Sequence, residues 1–260
     1  MAIWWRDWAV VPILNLLSGA SAWLSFSCAE WILPALFCAL PVLRRRRAAR
    51  ALLCLCLVPV LLWCSLFFCA AEAPVSPADA QSLEVMCAAL VDRLNARPLA
   101  FSGSTCDDPR VKTANFPFWM RLMNISGIFI PVTGEILISP NAAPAALPFT
   151  IVHEKMHLRG IADEGEANIA AYRECRAAGG EAADSADLWA LGYGLRALKR
   201  EDAAACARID ARMQPHLRRA LRFFDVNAAT SDYENLSSYL AANPAYWYND
   251  TIPTTENVIA

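Results

Sequence analysis

The chain has 260 residues, of which 57% are hydrophobic and 18% charged, with a formal net charge of −2. The apolar excess lies far above a soluble average and is concentrated in the first 73 positions, which excludes an ordinary water-soluble domain over the full length. The near-neutral charge gives no global attraction to nucleic acid, and none is expected as a partner.

Residues 8 to 43 hold one charged side chain, Glu30. The run is too long for one membrane span and short for two with a turn. The expected arrangement is an interfacial segment over 1–22, rich in tryptophan (Trp4, Trp5, Trp8), then a span from about Trp23 to Leu43. Arg44 to Arg47 and Arg50 follow, and after them an uncharged apolar run of spanning length from Ala51 to Ala71. Arginines of the 44–50 loop belong on the cytoplasmic side, so the two helices within 23–73 leave the remainder outside the cytoplasm. Glu30 is expected near an end of its span, at the interface, rather than as a working intramembrane carboxylate. A rival reading makes Arg44 the start of a signal peptide cleaved near Cys69-Ala-Ala-Glu-Ala73, but such signals rarely carry a 43-residue leader.

The rest, 74–250, is long enough for one compact domain, with a loose tail over 251–260. A helical pattern runs from Asp79 to Asn95, with Leu83, Met86, Cys87, Leu90, Val91 and Leu94 on one face. Arg97 to Pro117 is broken by Gly, Pro and Asp and reads as loop; Phe118 to Met123 reads as a short segment against the membrane. Ile125 to Pro131 and Glu135 to Ser139 read as a hairpin around Val132-Thr-Gly. Gly127, Ile128, Phe129 and Ile130 form a candidate edge to which a peptide backbone would add as a strand; a plain structural hairpin is the alternative.

Helices are expected at Phe149–Leu158, Asp163–Ala178, Ser185–Lys199 and Glu201–Phe224, the Gly179-Gly180 pair separating the second and third. The arginines of the last helix (Arg208, Arg212, Arg218, Arg219, Arg222) suggest a solvated face near headgroups more than an anionic partner. The chain from Asn227 reads as a polar and aromatic tail. Cys87, Cys106, Cys175 and Cys206 lie in the expected ectodomain. They are even in number for two disulfides, with Cys175–Cys206 and Cys87–Cys106 as possible pairs and free thiols as the alternative. No Cys-x-x-Cys pair of a structural zinc site is present.

The chemistry is concentrated in Thr150 to Asn168, where two of the three histidines form His-Glu-x-x-His at 153–157. Residues four apart share a helix face, so His153 and His157 can present imidazoles to one Zn2+ with Glu154 beside a bound water. A catalytic zinc takes three protein ligands and keeps a position open. Gly160 can end the helix and turn the chain back. Three carboxylates then compete for the third ligand: Glu164, which opens the next helix, is preferred. Asp163 stands at a metzincin-like spacing but suits the N-cap, and Glu166 ranks third. Asn168 shares a face with Glu164 and would orient a ligand by hydrogen bonding.

The run Pro148-Phe-Thr-Ile-Val-His-Glu-x-x-His-x-Arg-Gly-Ile-Ala-x-Glu-x-Glu-Ala-Asn resembles the bacterial membrane proteins of domain-of-unknown-function family 3810. The preceding Gly127-Ile-Phe-Ile-Pro-Val-Thr-Gly-Glu135 and the late Asn249-Asp-Thr match it as well. Its Glu-x-x-Ala-Asn also resembles the Glu-x-x-Ala-Asp of membrane-bound zinc peptidases in which the leading Glu binds the metal, which by analogy favours Glu164. The resemblance implies a mainly α protein, with N-terminal transmembrane helices and an α-rich zincin-like domain carrying a small β-hairpin or sheet, in the bacterial cell membrane.

The expected activity is peptide-bond hydrolysis with Glu154 as general base and acid, on a protein or peptide substrate. Tyr172, Tyr193 and His216 are candidate oxyanion donors. Lys155, at the first x of the motif, is a candidate for setting charge preference. The competing expectation is a catalytically silent membrane scaffold or sensor that keeps the zinc helix. An intact Glu154 and the lack of a ligand-binding partner domain favour the enzyme.

Overall fold

The computed structural model describes residues 5–32, 35, 57–58, 60–62, 77–103, 108–224 and 234–248. About half of the first expected span, the 44–50 arginine loop, all but a few residues of the second span, Cys106, and the 251–260 tail lie outside them. Among the described residues no helix is long and apolar enough to cross a membrane. The chain is mainly helical with one small sheet. It divides into two compact units: Met1–Glu72, Ser104–Ala142 and His153–Asp163 form the first, and Ala73–Gly103, Ala143–Val152 and Glu164–Ala260 the second.

In the first unit a π-helical turn, Arg6–Val10, leads into α1, Val11–Ser21, with Pro12 in its first turn, where a missing N–H costs nothing. The segment expected to lie at the interface is thus a packed helix: Val10, Leu14 and Ser18 are fully buried, while Trp8 and Leu16 are exposed. The sheet holds β1 (Val111–Thr113), β2 (Gly127–Ile130) and β3 (Glu135–Ile138) in the order β1-β3-β2. The hairpin is antiparallel, with Gly127 opposite Ile138 and Ile130 opposite Glu135, and β2 lies at an edge. Strand β1 lies in what reads as loop. Its three residues pair parallel to β3, a partner far along the chain that local pattern does not reveal. The short helix α3, Phe118–Leu122, follows it, and α2, Ala80–Asn95, of the second unit precedes it in chain order.

A buried ion pair fastens this unit. Lys112 Nζ lies 2.6 Å from Glu135 Oε1, with side chains 4% and 0% exposed. The ammonium also donates to the carbonyls of Ser21 (2.7 Å) and Phe26 (3.1 Å). The carboxylate accepts from the backbone N–H groups of Cys28 and Ala29 (both 2.9 Å) and from the Thr133 hydroxyl (2.9 Å). These bonds explain a departure from expectation. No helix begins at Trp23; the chain bends through 22–28, and a helical turn resumes only at 29–32. Ser27 caps that turn, its hydroxyl accepting from Glu30 N–H at 3.3 Å. Glu30 is buried and accepts from Asn115 N (2.6 Å), Asn115 Nδ2 (3.0 Å) and Phe116 N (2.9 Å), so its carboxylate serves as a tether to the 115–116 segment.

In the second unit α2 is Ala80–Asn95, capped by Asp79, whose carboxylate accepts from Ser82 N–H. The six residues expected on its apolar face are its buried ones. Further on come α4 (Leu147–Leu158), α5 (Glu164–Ala178), α6 (Gly180–Glu201), α7 (Ala203–Arg212), α8 (Pro215–Ala220), α9 (Glu234–Ala242) and α10 (Ala245–Tyr248). Helix α6 is the post of this unit, packed by α2, α5, α7 and α9. It is buried along nearly its whole length, as a helix enclosed by others must be. Its buried Asp187 accepts from Tyr172 Oη (2.9 Å), Arg93 Nη1 (3.1 Å) and Arg176 Nη1 (3.1 Å).

Four further expectations are corrected here. The single helix over 201–224 breaks at Pro215, which cannot continue a helix and holds Gln214 extended. Part of the expected tail is helix α9, whose Leu236 and Leu240 are fully buried. Of the basic face, Arg208, Arg212 and Arg218 pair with Glu84, Asp92 and Asp210, so their charge is balanced within the unit. Cys87, Cys175 and Cys206 are free and buried, so Cys175 and Cys206 do not pair. Burial pushes the Cys175 thiol up to about 12 and that of Cys87 higher still.

Burial opposes ionisation of Glu135, but Lys112, the two backbone N–H groups and Thr133 together hold its carboxyl below the ordinary value of 4.5. A carboxyl lowered in the folded state stabilises the fold above its unfolded pKa, and that contribution is lost as pH falls through the folded pKa. Stability is therefore expected to decline on acidification below about pH 4.5. Lys112→Met strands the Glu135 carboxylate and is expected to cost about 3–5 kcal/mol, with the acid sensitivity flattened. Denaturant unfolding of both proteins across pH 3 to 7, a range set by ordinary carboxyl titration, measures both effects.

Candidate metal centre

Helix α4 carries His153, Glu154 and His157. Its first turn is fixed within the second unit: Phe149 N–H donates to Ser185 Oγ (3.1 Å), Ser185 Oγ donates to Ala145 O (2.7 Å), and Trp189 Nε1 donates to Ala146 O (3.3 Å). The first of these bonds satisfies an N–H that a helix start leaves open.

At the other end the helix closes with Gly160 at φ +86°, which glycine adopts without the penalty other residues incur. Gly160 N–H donates to His157 O (2.9 Å) and Ile161 N–H to Met156 O (3.1 Å), the paired bonds of a Schellman cap. A Cβ at Gly160 would meet Arg6 Cγ and Val11 Cγ2 at 2.8 Å, so the start of α1 sits directly on this turn. The hairpin turn is covered likewise: a Cβ at Gly134 would lie 2.5 Å from Ser18 N.

The cap brings Ile161 O back to the ring of His157, which donates its Nδ1–H to that carbonyl at 2.7 Å. That bond fixes the tautomer with the lone pair on Nε2, the usual support for a metal-binding histidine. His157 Nε2 then lies 3.1 Å from His153 Nε2, the rings edge to face. Two nitrogens about 2.05 Å from a tetrahedral zinc would stand roughly 3.3 Å apart, so the spacing suits a shared ion.

One ligand atom each from His153, His157 and Glu164 lies within 4.8 Å of the others, all from one stretch of chain, 153–164. Asp163 is exposed and immediately precedes α5, and neither it nor Glu166 belongs to that group. Glu154 and His157 are buried at 7% and 6% exposure. Asn168, one turn beyond Glu164, is buried, and its Nδ2 has no hydrogen-bond partner among the described residues. Two imidazoles and a carboxylate form a ligand set able to hold a metal ion such as zinc.

The other expected residues have different neighbours. Tyr172 donates its hydroxyl to Asp187, and burial, with the Asp187 charge, raises its pKa well above the ordinary value. Tyr193 packs among Trp189 and Phe224, and His216 Nε2 lies 3.3 Å from Leu94 O. The sequence reading missed the tether on Lys155, whose ammonium lies 3.1 Å from Asp108 Oδ2. Arg110 grips the same carboxylate with Nε and Nη2 at 2.8 and 2.7 Å, and with Lys155 holds Asp108 far below the usual carboxylate range. Asp108-x-Arg110 is a recognisable local pair, but its partner Lys155 is not apparent from spacing.

Fold and site together define a mainly helical protein with a candidate metal-binding cluster, one of whose histidines is held by the cap of its own helix. The chain belongs to the family of proteins of unknown function DUF3810, whose family model matches residues 74–247. No curated protein and no solved structure matches it.

Gly160→Ala forces a side chain into both a left-handed backbone and the Arg6–Val11 contact. The expected cost is at least about 1–2 kcal/mol from the backbone alone. Denaturant unfolding and zinc titration should show lower stability and weaker metal binding together, whereas Gly179→Ala, whose added Cβ meets open space, should leave metal binding unchanged.

Proposed function

We propose that this protein is a membrane-anchored zinc metallopeptidase of gluzincin-like type, with an α-rich zincin-like domain. The observation that carries the reading is the 3.1 Å approach of two Nε2 atoms with one ring locked by a backbone carbonyl. Glu164 supplies the carboxylate of the ligand group. A zinc ion held by His153, His157 and Glu164 would supply Lewis acidity and bring a water's pKa to about 7. Glu154 takes the attacking water's proton and returns it to the leaving amine, so one carboxylate serves as base and then as acid. The Ile161 carbonyl keeps His157 in the one tautomer able to bind. Asn168 offers an amide to steady a ligand. The edge strand β2 offers backbone groups of Gly127 to Ile130 to an extended peptide.

The apolar sequence that continues beyond the 22–28 bend to Leu43 and the run over 51–71, with the arginines between them, support an anchor of two crossings in a bacterial cell membrane and an extracytoplasmic site. The test is metal content of detergent-purified protein. Wild type is expected to hold about one zinc per chain, as a three-ligand site does. Glu164→Ala should lose it; Asp163→Ala and Glu166→Ala should keep it; Glu154→Gln should keep zinc and lose cleavage of a peptide library. Folded wild type without zinc would overturn the enzyme and leave the scaffold.

A further inference from the structure

We infer that the first unit makes a second, non-spanning contact with the lipid bilayer through Phe116, Phe118, Leu122 and Met123, beside Trp31. This rests on the membrane anchoring proposed above. Among the described residues every large exposed apolar side chain except Val85 belongs to this unit. In α3, Phe118–Leu122, the side chains of Phe118 and Leu122 are 76% and 75% exposed, and Met123 just after it is 64% exposed. The helix is not a frayed end, because Met120 is wholly buried and holds it from beneath. Phe118 and Leu122, four apart, share its outer face. Arg121 is exposed beside them, its stem suited to apolar surface and its guanidinium to anionic headgroups.

Lipid is the occupant because of what this segment is tied to. Glu30 takes the N–H groups of Asn115 and Phe116, and the Phe116 ring meets that of Trp31 edge to face with centroids 5.3 Å apart. From Trp31 the sequence runs on without a charge to Leu43. The depth at which that run enters the bilayer therefore sets the depth of Phe116 and the helix behind it. Aromatic rings at that level suit the headgroup boundary, and a short apolar face beside them suits shallow insertion. His153 and His157 belong to this same unit. The substrate class that follows is a polypeptide already held at the membrane surface, such as the segment flanking another protein's span.

The test uses the full chain in vesicles of phosphatidylethanolamine and phosphatidylglycerol, with a fluorescent noncanonical residue replacing Phe118, Leu122 or Val85 in turn. Lipids carrying a nitroxide just below the headgroup should quench the first two probes at least about twofold more than the third. Unfolding midpoints matching wild type verify that each labelled protein is folded. Flotation with the vesicles but quenching no stronger than at Val85 overturns the lipid contact and leaves the anchor intact. Failure to float with vesicles overturns the anchoring itself, and the contact with it.

Discussion

Two opposite charges buried together impose the geometry of the first unit. Removing Lys112 and Glu135 from water is costly, and their mutual attraction offsets that cost only when the remaining hydrogen-bonding capacity of both is met. Here the carbonyls of Ser21 and Phe26, the N–H groups of Cys28 and Ala29 and the Thr133 hydroxyl meet it. Those partners come from the N-terminal bend and the hairpin turn. A one-residue slip of β1 against β3 would turn Lys112 to the opposite face and leave Glu135 stranded, so the pair also fixes strand register. The N-terminal helix is set by the same arrangement. It leaves the Ser21 carbonyl on Lys112 and lies across both Gly134 and Gly160.

The ligand helix is therefore set by rigid surroundings at each end. Ser185 and Trp189 hold its first turn, and α1 presses on the glycine that closes its last. Preorganised ligands lose little freedom when an ion arrives, which is what precise coordination requires. The histidine tautomer depends on the same cap, because the carbonyl that accepts the His157 proton is presented by the turn itself.

What the sequence made legible was whatever depends on near neighbours. The spacing of His153, His157 and Glu164 is helix arithmetic plus a glycine stop, and the buried face of α2 is simple periodicity. The hairpin could be read from its turn. What was not legible depends on distant partners. Strand β1 is too short for a pattern and exists because β3 is there. Glu30, within an apolar run, looks like an interfacial or intramembrane carboxylate until Asn115 and Phe116 are brought to it. The burial of α1 depends on two glycines more than a hundred residues away, which no window along the chain can see. Pro215 is a local signal of the break, set within a long run of arginine and apolar residues that otherwise reads as one helix. Leu236 and Leu240 were masked by the polar and aromatic residues beside them.

The buried thiols bear on how this fold can be reached. Cys87 and Cys175 ionise only far above neutrality because burial disfavours the thiolate, and the thiolate is the form that attacks a disulfide. Neither side chain is needed as a cross-link, since hydrophobic packing and matched polar groups hold the surrounding helices. Once the helices have packed, these two thiols are withdrawn from disulfide exchange.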